Sequence, residues 1–138
     1  MNRMGLVAAG ATFCGIWFGH VSVRWIEYHA PMLWLPRTIA LLLGLGLALA
    51  ALLNENRALS GALGILAMTL FFDAVELSRQ YRRVAKGHAP ANPDNPRHRP
   101  LLADGRATTT HWLDRDPIGR PVTEGEALRL LQPSQGER

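Results

Sequence analysis

Hydrophobic positions along the chain fall into three blocks and then stop. Residues 5–23, GLVAAGATFCGIWFGHVSV, run nineteen positions without a charge, which meets the length needed to span a bilayer. Residues 31–53, PMLWLPRTIALLLGLGLALAALL, form the second block. Arg37 is its only charge and lies near its start, and Pro36 fits a first helical turn, where a missing N–H costs nothing. A polar turn, NENR at 54–57, leads into ALSGALGILAMTLFFDAVEL at 58–77. The pattern predicts an all-α integral membrane fold of three antiparallel transmembrane helices with short connections. A signal peptide, with Arg3 as its basic start, competes for the first block. The run is long for that role, and no clear A-x-A site follows it.

From residue 78 the pattern turns polar, basic and proline-rich. HAPANPDNPRHRP, residues 88–100, has four prolines in thirteen positions, which favours an extended, polyproline-like course. Further on, Thr123 and Glu126 have capping-box spacing and predict a short helix near 124–131. Trp112, Leu113, Ile118, Val122, Leu128, Leu130 and Leu131 have no core of their own to enter. They need a partner or the protein's own membrane domain; otherwise the tail is disordered. The expected division is a three-helix transmembrane domain at 1–87 and a proline-rich, mostly irregular tail at 88–138.

Charge orients this arrangement. The first 77 residues carry four Lys/Arg and four acids, while the rest carry eleven and seven, so the tail supplies the whole net charge of +4. RQYRRVAK, residues 79–86, holds four basic residues and no acid directly after the third block. By the positive-inside rule this end is cytoplasmic. Arg79, Arg82, Arg83 and Lys86 are then candidate contacts to anionic lipid, a better account of the basic charge than nucleic acid. The expected location is the bacterial cytoplasmic (inner) membrane, with the N-terminus and NENR outside and the C-terminus inside. Trp25, Tyr28 and Trp34 would form an aromatic belt on the cytoplasmic side.

Titratable residues gather at that same end. His20, Arg24 and Glu27 follow helical spacing on the first helix, Arg37 opens the second, and Asp73 and Glu76 share a face near the end of the apolar part of the third. Unpaired charges there are costly, so the expectation is a structural ion-pair layer: Arg37 with Asp73 or Glu76, and Arg24 with Glu27. An ion or proton path with His20 as a relay competes with it, as does a contact or cofactor surface toward a larger partner. His20, Glu27 and Glu76 are the residues that would converge on a metal. As a haem ligand, His20 lacks a second histidine within a span. No cofactor is therefore expected. The single cysteine, Cys14, forms no internal disulfide. Gly15 and Gly19 make a G-x-x-x-G, and GLGLALA and SGALG add small residues that let helices approach in lipid. No P-loop, nucleophile elbow, zincin or dinucleotide fingerprint is present.

The order GHVSVRWIEY, LSGALGILA, VELSRQYRRVAKG and NP resembles the small bacterial membrane proteins of domain-of-unknown-function family 4491. The resemblance rests on His20, Glu27 and Tyr28, and on the run Glu76, Leu77, Gln80, Arg83, Val84, Lys86 and Gly87. It covers roughly residues 4–97 and implies three spans but no reaction. Asp73 departs from the family's pattern, and the tail beyond about residue 98 exceeds the usual length. Together these readings point to a non-enzymatic accessory subunit that anchors or stabilises a larger membrane complex through its helices and tail. The alternative is a small homo-oligomeric transporter or channel with a carboxylate-lined polar layer.

Overall fold

A computed structural model describes residues 3–110. Three long helices dominate: α1 (Arg3–His29), α2 (Trp34–Leu53) and α3 (Arg57–Ala85), followed by a short α4 (Arg99–Ala103). Among the described residues there is no strand, only one isolated bridge between Pro90 and Thr108. The three long helices are apolar over most of their length. Each is long and apolar enough to cross a membrane. The predicted tail helix near 124–131 and the apolar tail residues Trp112, Leu113, Ile118, Val122, Leu128, Leu130 and Leu131 lie outside the described residues.

The helices are packed inside out relative to a water-soluble bundle. Phe13, Trp17, Phe18, Leu42, Leu52 and Leu53 point outward, while the contact surfaces are small: Gly15, Gly19, Gly44, Ala67 and Ala74. In lipid no hydrophobic force joins helices, so close backbone approach supplies the attraction. α3 is the middle element and packs on both α1 and α2. On one side Gly15 meets Thr69 and Gly19 meets Asp73, so α1 and α3 advance together, one turn against one turn. On the other side Gly44 meets Ala67 and Phe71, and the Ser60 hydroxyl donates to the Ala51 carbonyl at 2.7 Å.

Helix ends follow local chemistry. Asn56 starts α3, its Oδ1 accepting from the N–H groups of Ala58 at 3.1 Å and Leu59 at 3.2 Å. This satisfies two donors that a helix start leaves without partners. Asn56→Ala should lower unfolding stability by about 0.5–2 kcal/mol; thermal melts in detergent would test this, with Asn56→Asp retaining the cap. At the other end of α3, Gly87 has φ 71°, a conformation that favours glycine. His88 N–H donates to Arg83 O at 2.8 Å and Gly87 N–H to Val84 O at 2.9 Å, the paired bonds of a Schellman stop.

α3 runs well past its apolar block because its polar end has a buried stripe of its own: Leu77, Gln80 and Val84. These three belong to the run on which the family resemblance rests. What covers the stripe corrects one expectation. Residues 88–100 do not take an extended course; they turn repeatedly, lead into α4, and fold back. Val84, Ala89, Ala91 and Leu101 form a small core there, with Tyr81, Ala85, Leu102 and Ala107 packed against it. Ala91 N–H donates to Thr108 O at 2.8 Å and closes the loop. Of the prolines that suggested extension, Pro93 and Pro96 sit at turns, where their fixed φ is equally suited, Pro90 lies in the bridge to Thr108, and Pro100 is in the first turn of α4.

Candidate functional site

The last carbonyls of a helix have no partner within it. At the end of α1 they are met by side chains from the returning segment. Asn92 Nδ2 donates to Tyr28 O at 3.1 Å. Asn95 Nδ2 donates to Tyr28 O at 2.9 Å and Ala30 O at 3.1 Å. Each asparagine belongs to an Asn-Pro pair, and each uses its Oδ1 to accept from the backbone N–H two residues on, Asp94 at 2.9 Å and Arg97 at 3.0 Å. NPD and NPR are thus two copies of one device: an Asx turn set by proline, presenting its amide to the helix end.

Beneath this cap lies Glu27, only 1% exposed. Its Oε1 accepts from His98 Nε2 at 2.8 Å and from Arg97 Nη1 at 3.4 Å. His98 is fully buried, and its Nδ1 accepts the Asn92 backbone N–H at 2.9 Å. An acceptor at Nδ1 requires the proton to be on Nε2, so the ring is neutral and donates to the carboxylate. Arg97 also donates through Nε to Ala30 O at 3.0 Å and through Nη2 to Glu27 O. Its guanidinium lies 5.4 Å from the centre of the Tyr81 ring, within cation–π range. One carboxylate and one guanidinium balance each other. The guanidinium also faces the negative end of the α1 dipole.

Both nitrogens of the buried His98 ring are engaged by protein groups. In this arrangement the ring neither takes a proton from a substrate nor binds a metal. The cluster fastens the chain segment after α3 to the end of α1.

The expected layer is redistributed. Glu27 pairs with Arg97 and His98, not Arg24. Glu76 pairs along its own helix, with Arg83 at 2.7 Å and Arg79 at 3.5 Å, not with Arg37. Arg24 and Arg37 are exposed and make no ion pair among the described residues. The reason is geometric: Asp73 lies on the α1 side of α3, whereas Arg37 is carried by α2 on the other side. Of the four basic residues after the third block, Arg79 and Arg83 are tied to Glu76, while Arg82 and Lys86 make no ion pair among the described residues. Sequence reading missed Asn92, Asn95, Arg97 and His98. The repeated Asn-Pro was their one visible signal.

His20, Asp73 and Glu76 do come together. With Ile16, Thr69 and Phe72 they line an open groove of about 250 Å³ between α1 and α3. Asp73 stands against the Gly19 backbone, so close that a Cβ on Gly19 would lie 2.7 Å from Oδ1. The metal reading brought in Glu27, which is buried under the cap instead. Among the described residues no group of three His, Cys, Asp or Glu is placed to hold an ion.

Neither a search of curated proteins nor a search of solved structures finds a match. A family match extends over residues 2–95, well over half of the 138-residue chain. It takes in all three long helices, Glu27, the first Asn-Pro pair and Asn95. The chain belongs to the family described as Domain of unknown function (DUF4491).

Proposed function

We propose that the protein is a non-catalytic accessory subunit of the bacterial cytoplasmic membrane that anchors or stabilises a larger complex. Its three helices cross in alternating directions, with the N-terminus outside and residues 86–138 inside. The observation that carries this reading is how the buried polar groups are used. Glu27, Arg97 and His98 are consumed in holding the chain to itself and offer nothing to a substrate. The orientation draws support from charge: the fold gathers Arg97, Arg99 and Arg106 at the end that already holds Arg79, Arg82, Arg83 and Lys86. Arg82 and Lys86 are the best placed of these for anionic headgroups. In the alternative reading, a homo-oligomeric transporter or channel, the carboxylates of a polar path would come from the open groove.

Two truncations test the subunit reading. Ending the chain after Thr110 leaves the cap whole and removes Trp112, Leu113 and the apolar residues beyond. This form should insert and melt like the full chain, yet lose co-purifying subunits from native membranes. Each large side chain it gives up is worth about 1.5–3 kcal/mol when well buried. Ending after Gly87 also removes Asn92, Asn95, Arg97 and His98, so that form should melt earlier as well. Full retention of partners by the form ending at Thr110 would refute a partner-binding tail.

A further inference from the structure

The groove between α1 and α3 holds two carboxyl side chains, Asp73 and Glu76, with His20 on the facing helix. Asp73 is half-buried there and makes no ion pair among the described residues. Glu76 beside it is already held by Arg83 and Arg79. Ile16 and Phe72 form an apolar rim, 52% and 64% exposed. A carboxylate at the edge of the hydrocarbon region, open to lipid on one side, is costly unless protein covers it. The covering surface must bring a cation and an apolar rim of its own.

The chain itself carries such a surface. Arg24 is exposed, without an ion-pair partner among the described residues, and one helical turn beyond His20 on the groove side of α1. It stands five residues past Gly19, the position level with Asp73, or about 7.5 Å along the axis. Helical side chains lean toward the N-terminus, which brings the guanidinium back toward the depth of Asp73. Two copies inserted in the same direction place these groups at matching depths. The geometry points to a symmetric dimer in which α1 of each copy lies in the α1/α3 groove of the other, with Arg24 of one paired to Asp73 of its partner. The contact is isologous, so it closes at two: Ile16 and His20 meet their counterparts near the axis, and two Arg24–Asp73 pairs flank them. This goes beyond the accessory-subunit reading and does not rest on it, since the tail is a separate surface.

Cross-linking in membranes tests the contact. With Cys14→Ser as background, Ile16→Cys should give a disulfide-linked species of twice the chain mass on mild oxidation. In detergent, sedimentation of the full chain should report a dimer. Arg24→Glu should raise its dissociation constant about thirtyfold or more, as expected when one member of a desolvated charge pair is replaced. Asp73→Asn, which keeps the shape packed against Gly19, should also weaken the dimer, and Arg24→Glu with Asp73→Asn should be no weaker than Arg24→Glu alone. Among the described residues Arg24 pairs with no acid of its own chain, so its variant is expected to keep the wild-type melt. The chain ending at Thr110 should remain dimeric. A wild type that stays monomeric at every detergent ratio, or a dimer indifferent to Arg24→Glu, would overturn the proposal. So would an Ile16→Cys adduct to a different protein, or a dimer lost with the tail.

Discussion

Replacing Glu27 with alanine should free the segment after α3 from the end of α1. The carboxylate is the common acceptor of Arg97 and His98, and its loss leaves a buried imidazole N–H without a partner and a guanidinium without its counter-charge. Breaking a buried pair by removing one member costs about 3–5 kcal/mol. The lower end applies here, because Arg97 is 16% exposed and keeps the Glu27 and Ala30 carbonyls. Glu27→Gln should be milder: an amide oxygen still accepts from His98, while the charge on Arg97 goes unbalanced. Hydrogen exchange would read the effect directly, at Ala91 and Asn92, whose N–H groups are bonded to Thr108 O and His98 Nδ1. Rapid exchange there in Glu27→Ala, with α2 unchanged, is the expected result. Unaltered protection would show that the two asparagines hold the cap alone. Arg37→Ala makes the contrast, since no acid among the described residues depends on it; it should exchange and melt as the wild type does.

A second large effect is expected at Gly44. A Cβ there would lie 2.7 Å from Phe71 Cε1 and 3.2 Å from the Ala67 carbonyl oxygen. The ring can turn aside, but the backbone oxygen cannot, so Gly44→Leu must push α2 away from α3. Overpacking of this kind costs typically about 1–3 kcal/mol. Gly46, two residues on, has nothing within 4 Å of a built Cβ, and Gly46→Leu should melt like the wild type. Gly15→Leu should behave as Gly44→Leu does, because its Cβ would meet Thr69 Oγ1 at 2.8 Å. If Gly44→Leu and Gly46→Leu melt alike, the α2–α3 contact does not govern stability.

These glycines show how far the sequence could be read. Gly15 and Gly19 were recognisable as a close-approach motif by spacing alone, and they do form the α1 side of the contact with α3. Gly44, Gly46, Gly61 and Gly64 look equivalent in GLGLALA and SGALG. Only Gly44 meets a neighbour on its open side, while Gly46, Gly61 and Gly64 have none within 4 Å. The phase of each helix about its axis separates them, and in a helix that is apolar all round no periodicity reveals that phase.

The three long helices were legible from the residue pattern alone, because length and hydropathy are local quantities and the bilayer sets the same requirement for each block. That pattern also marked Glu27 as a carboxylate at the edge of an apolar helix that needed a partner. Which partner it takes was decided by the tertiary structure. Arg97 and His98 come from a segment about seventy residues away, brought there by the Gly87 turn and two Asn-Pro turns. A charged group pairs with what folding places beside it. Matching by depth proposed Arg24 for Glu27, because residues 88–100 were expected to take an extended course. Once that segment returns over the end of α1, it saturates the carboxylate, leaving Arg24 exposed and Asp73 half-buried in the α1/α3 groove.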